Sequence, residues 1–205
     1  MAQRSRIGRP VNADSEQTRR RILAATMAHV AQVGYAKATM KSIAEQAGLT
    51  SSALYRYYPA KSELVIAALT TVVSDVMARL EDAAFSKDTL RDRLVALLEE
   101  ALAACADHPS MTRFEASLYL ESAHTPEFAP VVALRRENEE KLYRRLVDEA
   151  VRAGELPPGV PVQAVVDMLT SLTWGLTYLS ATATADRHRA AIRITEALLD
   201  GSLLA

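Results

Sequence analysis

GLTSSALYRYYPAKSEL, residues 48–64, sets four small residues, Thr50 to Ala53, between a glycine turn and three tyrosines grouped around Arg56, with Pro59 closing the group. A core strand would alternate apolar and polar residues, and a catalytic loop would offer a nucleophile beside a base. Neither pattern is present. The residues on either side explain the stretch. Upstream, Ile22, Ala25, Thr26, His29, Val30 and Val33 recur at helical spacing until Gly34, and Asp14 with Gln17 has the spacing of a capping box that opens this helix. Thr39 is placed to cap a second helix whose inner face is Met40, Ile43, Ala44 and Ala47, ended by Gly48. Thr50 is placed to cap a third, from Ser51 to Tyr57, with Leu54 turned into the core. Two short helices around a glycine turn, braced by a longer one, read as a helix-turn-helix.

In that motif the second short helix enters the major groove, where small side chains at its start let the backbone approach base edges. Ser51, Ser52 and Ala53 suit that position. Tyrosine hydroxyls reach phosphate oxygens and arginine forks onto guanine O6 and N7, so Tyr55, Arg56 and Tyr57 are contact candidates, while Tyr58 reads as a core plug. Lys61 opens the next helix, where a free N–H and a positive charge both favour an anion. An aromatic cluster that merely closes a three-helix core is the bland alternative. Charge supports the functional one. The whole chain has a formal charge of −1, yet residues 1–61 hold ten basic against three acidic side chains, a formal +7. A basic head on an acidic body suits a phosphate-binding module joined to one that is not.

The stretch TRRRILAATMAHVAQVGYAKATMKSIAEQAGLTSSALYRYYPAKSEL, residues 18–64, resembles the N-terminal domain of the TetR family of bacterial transcriptional regulators. Gly34-Tyr35, Thr39, Ile43-Ala44, Ala47-Gly48, Leu54-Tyr55 and Lys61 all fall in register. The resemblance implies an all-α protein: a flexible basic arm over 1–14, a helix-turn-helix DNA-binding domain over 15–60, and a helical effector-binding and dimerisation domain over 61–205. By position it implies a DNA-facing set of Thr39, Lys41, Thr50, Ser51, Ser52, Ala53, Tyr55, Arg56, Tyr57 and Lys61. Departures from the family pattern are His29 at a usually aliphatic site, Val30 at one often held by Phe, Ser51 at a commonly basic one, and Ala60 where a capping Ser or Asn is often found. His29 is expected to be a satisfied core histidine. In the arm, Gly8-Arg9-Pro10 resembles the centre of an AT-hook, so Arg6 or Arg9 is a candidate for minor-groove contact.

Apolar spacing and breakers put further helices near 61–82, 88–106, 110–122, 127–153, 162–183 and 187–200. The longest uncharged run, Met168 to Ala185, holds Thr, Ser and Gly175 and reads as a buried helix instead of a membrane span. The last two helices are short of charge on one face. That pattern fits an intramolecular core or a homodimer contact, and the family resemblance favours the homodimer. An effector cavity is expected inside the body, lined by Met77, Met111, Phe114, Tyr119, Met168, Trp174, Thr177 and Tyr178, for a small lipophilic or aromatic ligand. Trp174, the single tryptophan, is expected to be largely buried.

A lone Cys105 makes no internal disulfide, and the opening MAQRSRIGRPV has no apolar segment behind it, which together point to a cytoplasmic chain. Glu121 and His124 have the Glu-x-x-His spacing of helical di-iron sites, but no second pair accompanies them. Neither a nucleophile elbow nor a phosphate loop is present, so no enzyme activity, catalytic residue, metal or cofactor is expected. The function expected is a DNA-binding repressor released from a pseudo-palindromic operator by its effector through thermodynamic linkage. The alternative is a helical DNA-binding regulator controlled by a protein partner with no small ligand.

Overall fold

The computed structural model describes residues 11–199 and 201–203, with side chains from Ser15 onward. The basic-arm residues Arg6 and Arg9 and the side chain of Asp14 lie outside this range. The described residues form nine α-helices and no strand: α1 Val11–Val33, α2 Met40–Gln46, α3 Ser51–Tyr57, α4 Lys61–Phe85, α5 Leu90–Asp107, α6 Met111–Glu121, α7 Ala129–Ala153, α8 Val162–Thr182 and α9 Ala185–Leu199, with a 3-10 turn at Pro126–Phe128 before α7. Helix α1 begins three residues ahead of Asp14, so the capping box expected at Asp14 and Gln17 does not open it. No described helix is long and apolar enough to cross a membrane.

The chain divides into two compact units, and the division falls between Ala68 and Leu69, inside α4. The first unit is built around Ile22 and Val30 of α1, Ile43 and Ala44 of α2, Leu54 of α3 and Leu64 and Val65 of α4, each fully buried. Burying such an aliphatic side chain is worth about 1.5–3 kcal/mol, which is what holds two seven-residue helices that are far too short to persist alone. Their ends are fixed locally. Thr39 Oγ1 accepts from Ser42 N at 3.1 Å while Thr39 N donates back to Ser42 Oγ at 3.1 Å, a reciprocal box at the start of α2. At its end Gly48 takes φ +66°, which lets Leu49 N reach Ala44 O at 2.9 Å.

The second unit has its own core. On α7, Leu142, Tyr143, Leu146, Val147 and Ala150 form one buried stripe at helical spacing, and the first four pack with Ala84, Leu97, Val166 and Leu169. Thr89 caps α5 through Asp92 N at 3.1 Å, and Gly154 at φ +73° ends α7. The guanidiniums of Arg93 and Arg145 both lie against the Phe85 ring, 5.1 and 3.7 Å from its centre. Arg93 in turn donates to Glu149 at 2.6 Å, tying α5 to α7.

Candidate nucleic-acid interface and ligand cavity

Thr50 starts α3 by accepting from Ala53 N at 3.2 Å, and its hydroxyl lies 3.1 Å from Ser52 Oγ. Leu54 on the opposite face is fully buried, as is most of Tyr58, so the register of α3 is locked from beneath. That register leaves Ser52, Tyr55 and Arg56 exposed, with Ser51, Ala53 and Tyr57 partly so. Tyr55 keeps 51 % of its surface open to solvent. Thr39 and Lys41 are exposed at the start of α2, and Lys41 is within 4.0 Å of Glu45. The structure therefore brings the α2 and α3 candidates onto the solvent side of one small unit. Tyr58 plugs the core, and burial pushes its phenol above the usual range, against an opposing pull from Arg19.

Two residues are placed otherwise than expected. Lys61 Nζ donates to Tyr35 O and Ala38 O, both at 2.9 Å, and lies 4.0 Å from the centre of the Tyr35 ring. Its ammonium is engaged within the unit, closing the turn between α1 and α2 against the start of α4, so it does not present a free charge to an anion. His29 is half-buried, not enclosed; its Nδ1 lies 3.0 Å from Gln46 Oε1, an acceptor, so the ring ties α1 to α2.

In the second unit a cavity of about 220 Å³ opens between α6, α7 and α8, with Leu69 of α4 on its wall. Tyr119, Trp174, Thr177 and Tyr178 line it, as expected from sequence. The Tyr119 and Trp174 rings meet edge to face, 5.2 Å between centres. The other four candidates lie elsewhere. Met77 lines a separate groove of about 410 Å³ between α4 and α7. Met111 and Phe114 are buried in the core, and Met168 is exposed on α8; none of these three lines the cavity. Trp174 itself is 40 % exposed, contrary to its expected burial, because it stands at the edge of the cavity on the open side of α8.

The cavity also holds charged residues that the apolar pattern concealed. Arg135 Nε donates to Glu115 Oε1 at 3.2 Å, and its Nη1 is 3.5 Å from Glu139 Oε2. Behind them Tyr143 OH lies 2.8 Å from Thr173 Oγ1 and 3.3 Å from Glu139 Oε1. Burial raises the Glu115 carboxyl above its ordinary range although Arg135 pulls the other way. Burial opposes the charge on Arg135, and its two carboxylate neighbours outweigh that, so the guanidinium stays a cation. Only the i, i+4 spacing of Arg135 and Glu139 signalled this cluster in the sequence. Outside it, the carboxylate of Glu121 accepts from Thr125 Oγ1 at 2.9 Å, and His124 is exposed.

A small helix-turn-helix unit with an exposed recognition helix, joined to a helical unit with a lined cavity, defines a DNA-binding regulator of the one-chain, two-part kind. Residues 22–68 match the family described as bacterial regulatory proteins, tetR family, and residues 86–198 match a tetracyclin repressor-like C-terminal domain. The chain belongs to the tetR family and is a regulator, not an enzyme. The HTH-type transcriptional repressor KstR of Mycolicibacterium smegmatis is 32 % identical over 96 residues, 47 % of either chain, so the match spans about half the length of that relative. Among solved structures, FadR from Bacillus subtilis in complex with stearoyl-CoA superposes with a TM-score of 0.75 at 16 % identity, over 90 % of this chain and 97 % of that one. The ketosteroid transcriptional regulator KstR2 of Mycobacterium tuberculosis gives 0.71 at 21 % identity, over 96 % and 98 %.

Proposed function

We propose that this protein is a cytoplasmic, homodimeric transcriptional repressor that leaves a pseudo-palindromic operator when a small lipophilic or aromatic effector occupies the cavity between α6, α7 and α8. The observation that carries the reading is the recognition helix: Ser52, Tyr55 and Arg56 stand exposed on a helix whose other face, Leu54, is fully buried. Thr39, Lys41, Thr50, Ser51, Ala53 and Tyr57 complete the proposed DNA contacts, with Lys61 reassigned to holding the unit together. The 61–205 part is read as the effector-binding and dimerisation domain. Met168 of α8 and Ile194 and Leu198 of α9 are all about half exposed, an apolar surface that a second copy would cover. Two-fold symmetry of the protein then calls for inverted repeats in the DNA.

Release follows from linkage. An effector that binds better to the dimer conformation with misplaced heads lowers DNA affinity by the same factor by which DNA lowers its own. A lined cavity favours this over control by a protein partner alone, and the stearoyl-CoA held by FadR is an instance of a small ligand on the same fold. Selection of duplexes from a random pool tests the reading. The expected product is an inverted repeat bound by a dimer, with affinity falling steeply as salt rises. Arg56→Ala is expected to cost about 1–3 kcal/mol and to relax preference at one position. A selected site without symmetry, or an Arg56→Ala protein that binds every site as the parent does, overturns it.

A further inference from the structure

Charge is unevenly placed around the cavity between α6, α7 and α8. Glu115 and Glu139 keep only 19 % and 10 % of their side-chain surface exposed, and one guanidinium, Arg135, serves both. Its contact to Glu139, at 3.5 Å, is too long for a strong hydrogen bond. The other cation on the wall, Arg136, is exposed, and its guanidinium lies 6.0 Å from the centre of the Tyr119 ring. The interior set is therefore two carboxylates against one cation. A buried carboxylate in excess is neutralised either by a proton or by a cation brought in from outside. Burial already drives Glu115 toward the proton.

Aromatic rings share this cavity, Tyr119 one helical turn from Glu115 on α6, Trp174 and Tyr178 from α8. Tyr119, Trp174 and Tyr178 turn toward the same space, and the contact between Arg136 and Tyr119 places one of these rings within reach of a positive group. Ring faces attract cations most strongly where water is excluded. We propose that the cavity is a site for an organic cation, a quaternary or protonated amine carried on an aromatic or aliphatic body, with the charged nitrogen between Glu115 and the Tyr119–Trp174 pair. The proposal rests on the reading of this cavity as the effector site and narrows the effector's chemistry. Leu118, Val132 and Ala181 receive the apolar body. Displacement of Arg136 from the mouth into water leaves the incoming nitrogen with the ring.

The test uses two probes that differ by one atom, phenyltrimethylammonium and its neutral carbon isostere tert-butylbenzene, titrated against the intact protein and followed by Trp174 emission and calorimetry. The expected result is at least tenfold tighter binding of the cation. Glu115→Gln should remove most of that preference and leave the affinity for tert-butylbenzene unchanged. Tyr178→Leu, at a position 71 % exposed and so without bearing on folding, should weaken the cation more than the isostere. Equal or tighter binding of tert-butylbenzene overturns the proposal, as does absence of binding by both probes. DNA release is measured separately. Release by tert-butylbenzene with no preference for the cation sinks this proposal and leaves the effector cavity standing; tight cation binding with no effect on DNA does the reverse.

Discussion

Replacing Lys61 by methionine keeps the stem and removes the ammonium, which isolates the charge. Two hydrogen bonds from a charged donor disappear, to Tyr35 O and Ala38 O, together with the cation over the Tyr35 ring. Hydrogen bonds to charged groups contribute about 1.5–3 kcal/mol each, and a cation over a ring about 0.5–1 kcal/mol when partly exposed. Lys61 and Tyr35 are only half-buried, so water recovers part of this, while Ala38 is buried and its carbonyl stays less well served. The expected net loss is about 3 kcal/mol. For a chain of this length that corresponds to a fall in melting midpoint of roughly 6–12 °C if the protein melts as one unit. Melting by circular dichroism reads the stability. DNA affinity across a salt series, measured well below the midpoint, reads any interaction of Lys61 with phosphate. Removing one phosphate-bound cation from the interface would lower the slope of log K against log salt by about 0.9. The expected outcome is a lowered midpoint with the slope intact. An unchanged midpoint with the slope reduced by about one would show that the ammonium leaves the carbonyls for DNA, and would refute the structural role.

Gly48→Ala tests the turn between α2 and α3: at φ +66° an added methyl meets no atom within 4 Å, so the cost is conformational alone, about 1–2 kcal/mol by urea unfolding. His188 is buried, and burial holds its imidazole below the ordinary value of 6.5. The unfolded chain therefore takes up the proton first, and stability is lost as pH falls below about 6.5 toward the folded value. His188→Gln is expected to flatten that loss in denaturant midpoints measured between pH 7 and 5.

Helix boundaries were largely legible. The caps at Thr39 and Thr50 and the glycines at 34, 48 and 154 act through local hydrogen bonds and backbone angles, which a sequence records directly. The start of α1 was not, since Asp14 suited a cap yet the helix continues past it to Val11. Placement of the body residues was harder for a different reason. Helix α8 is apolar nearly all round, and periodicity then does not tell a face packed on α7 from one left open; Trp174 and Met168 fell on the open side. Polar pairing across long separations is invisible to periodicity as well. Lys61 with Tyr35 and Ala38, 23 and more residues apart, and Glu115 with Arg135, 20 apart, are joined only once the helices pack.

The anchoring of α3 has a consequence for how such a regulator changes over time. Three positions, Thr50, Leu54 and Tyr58, hold the helix through a cap and two buried side chains. Those between them that face solvent have almost no part in folding. Exposed substitutions typically alter stability by no more than about 0.5 kcal/mol, so Ser52, Tyr55 and Arg56 are open to replacement without loss of the scaffold. On the proposed reading of α3, recognition and architecture are inherited separately: a lineage can rewrite which operator it reads by single steps, each leaving a protein that still folds.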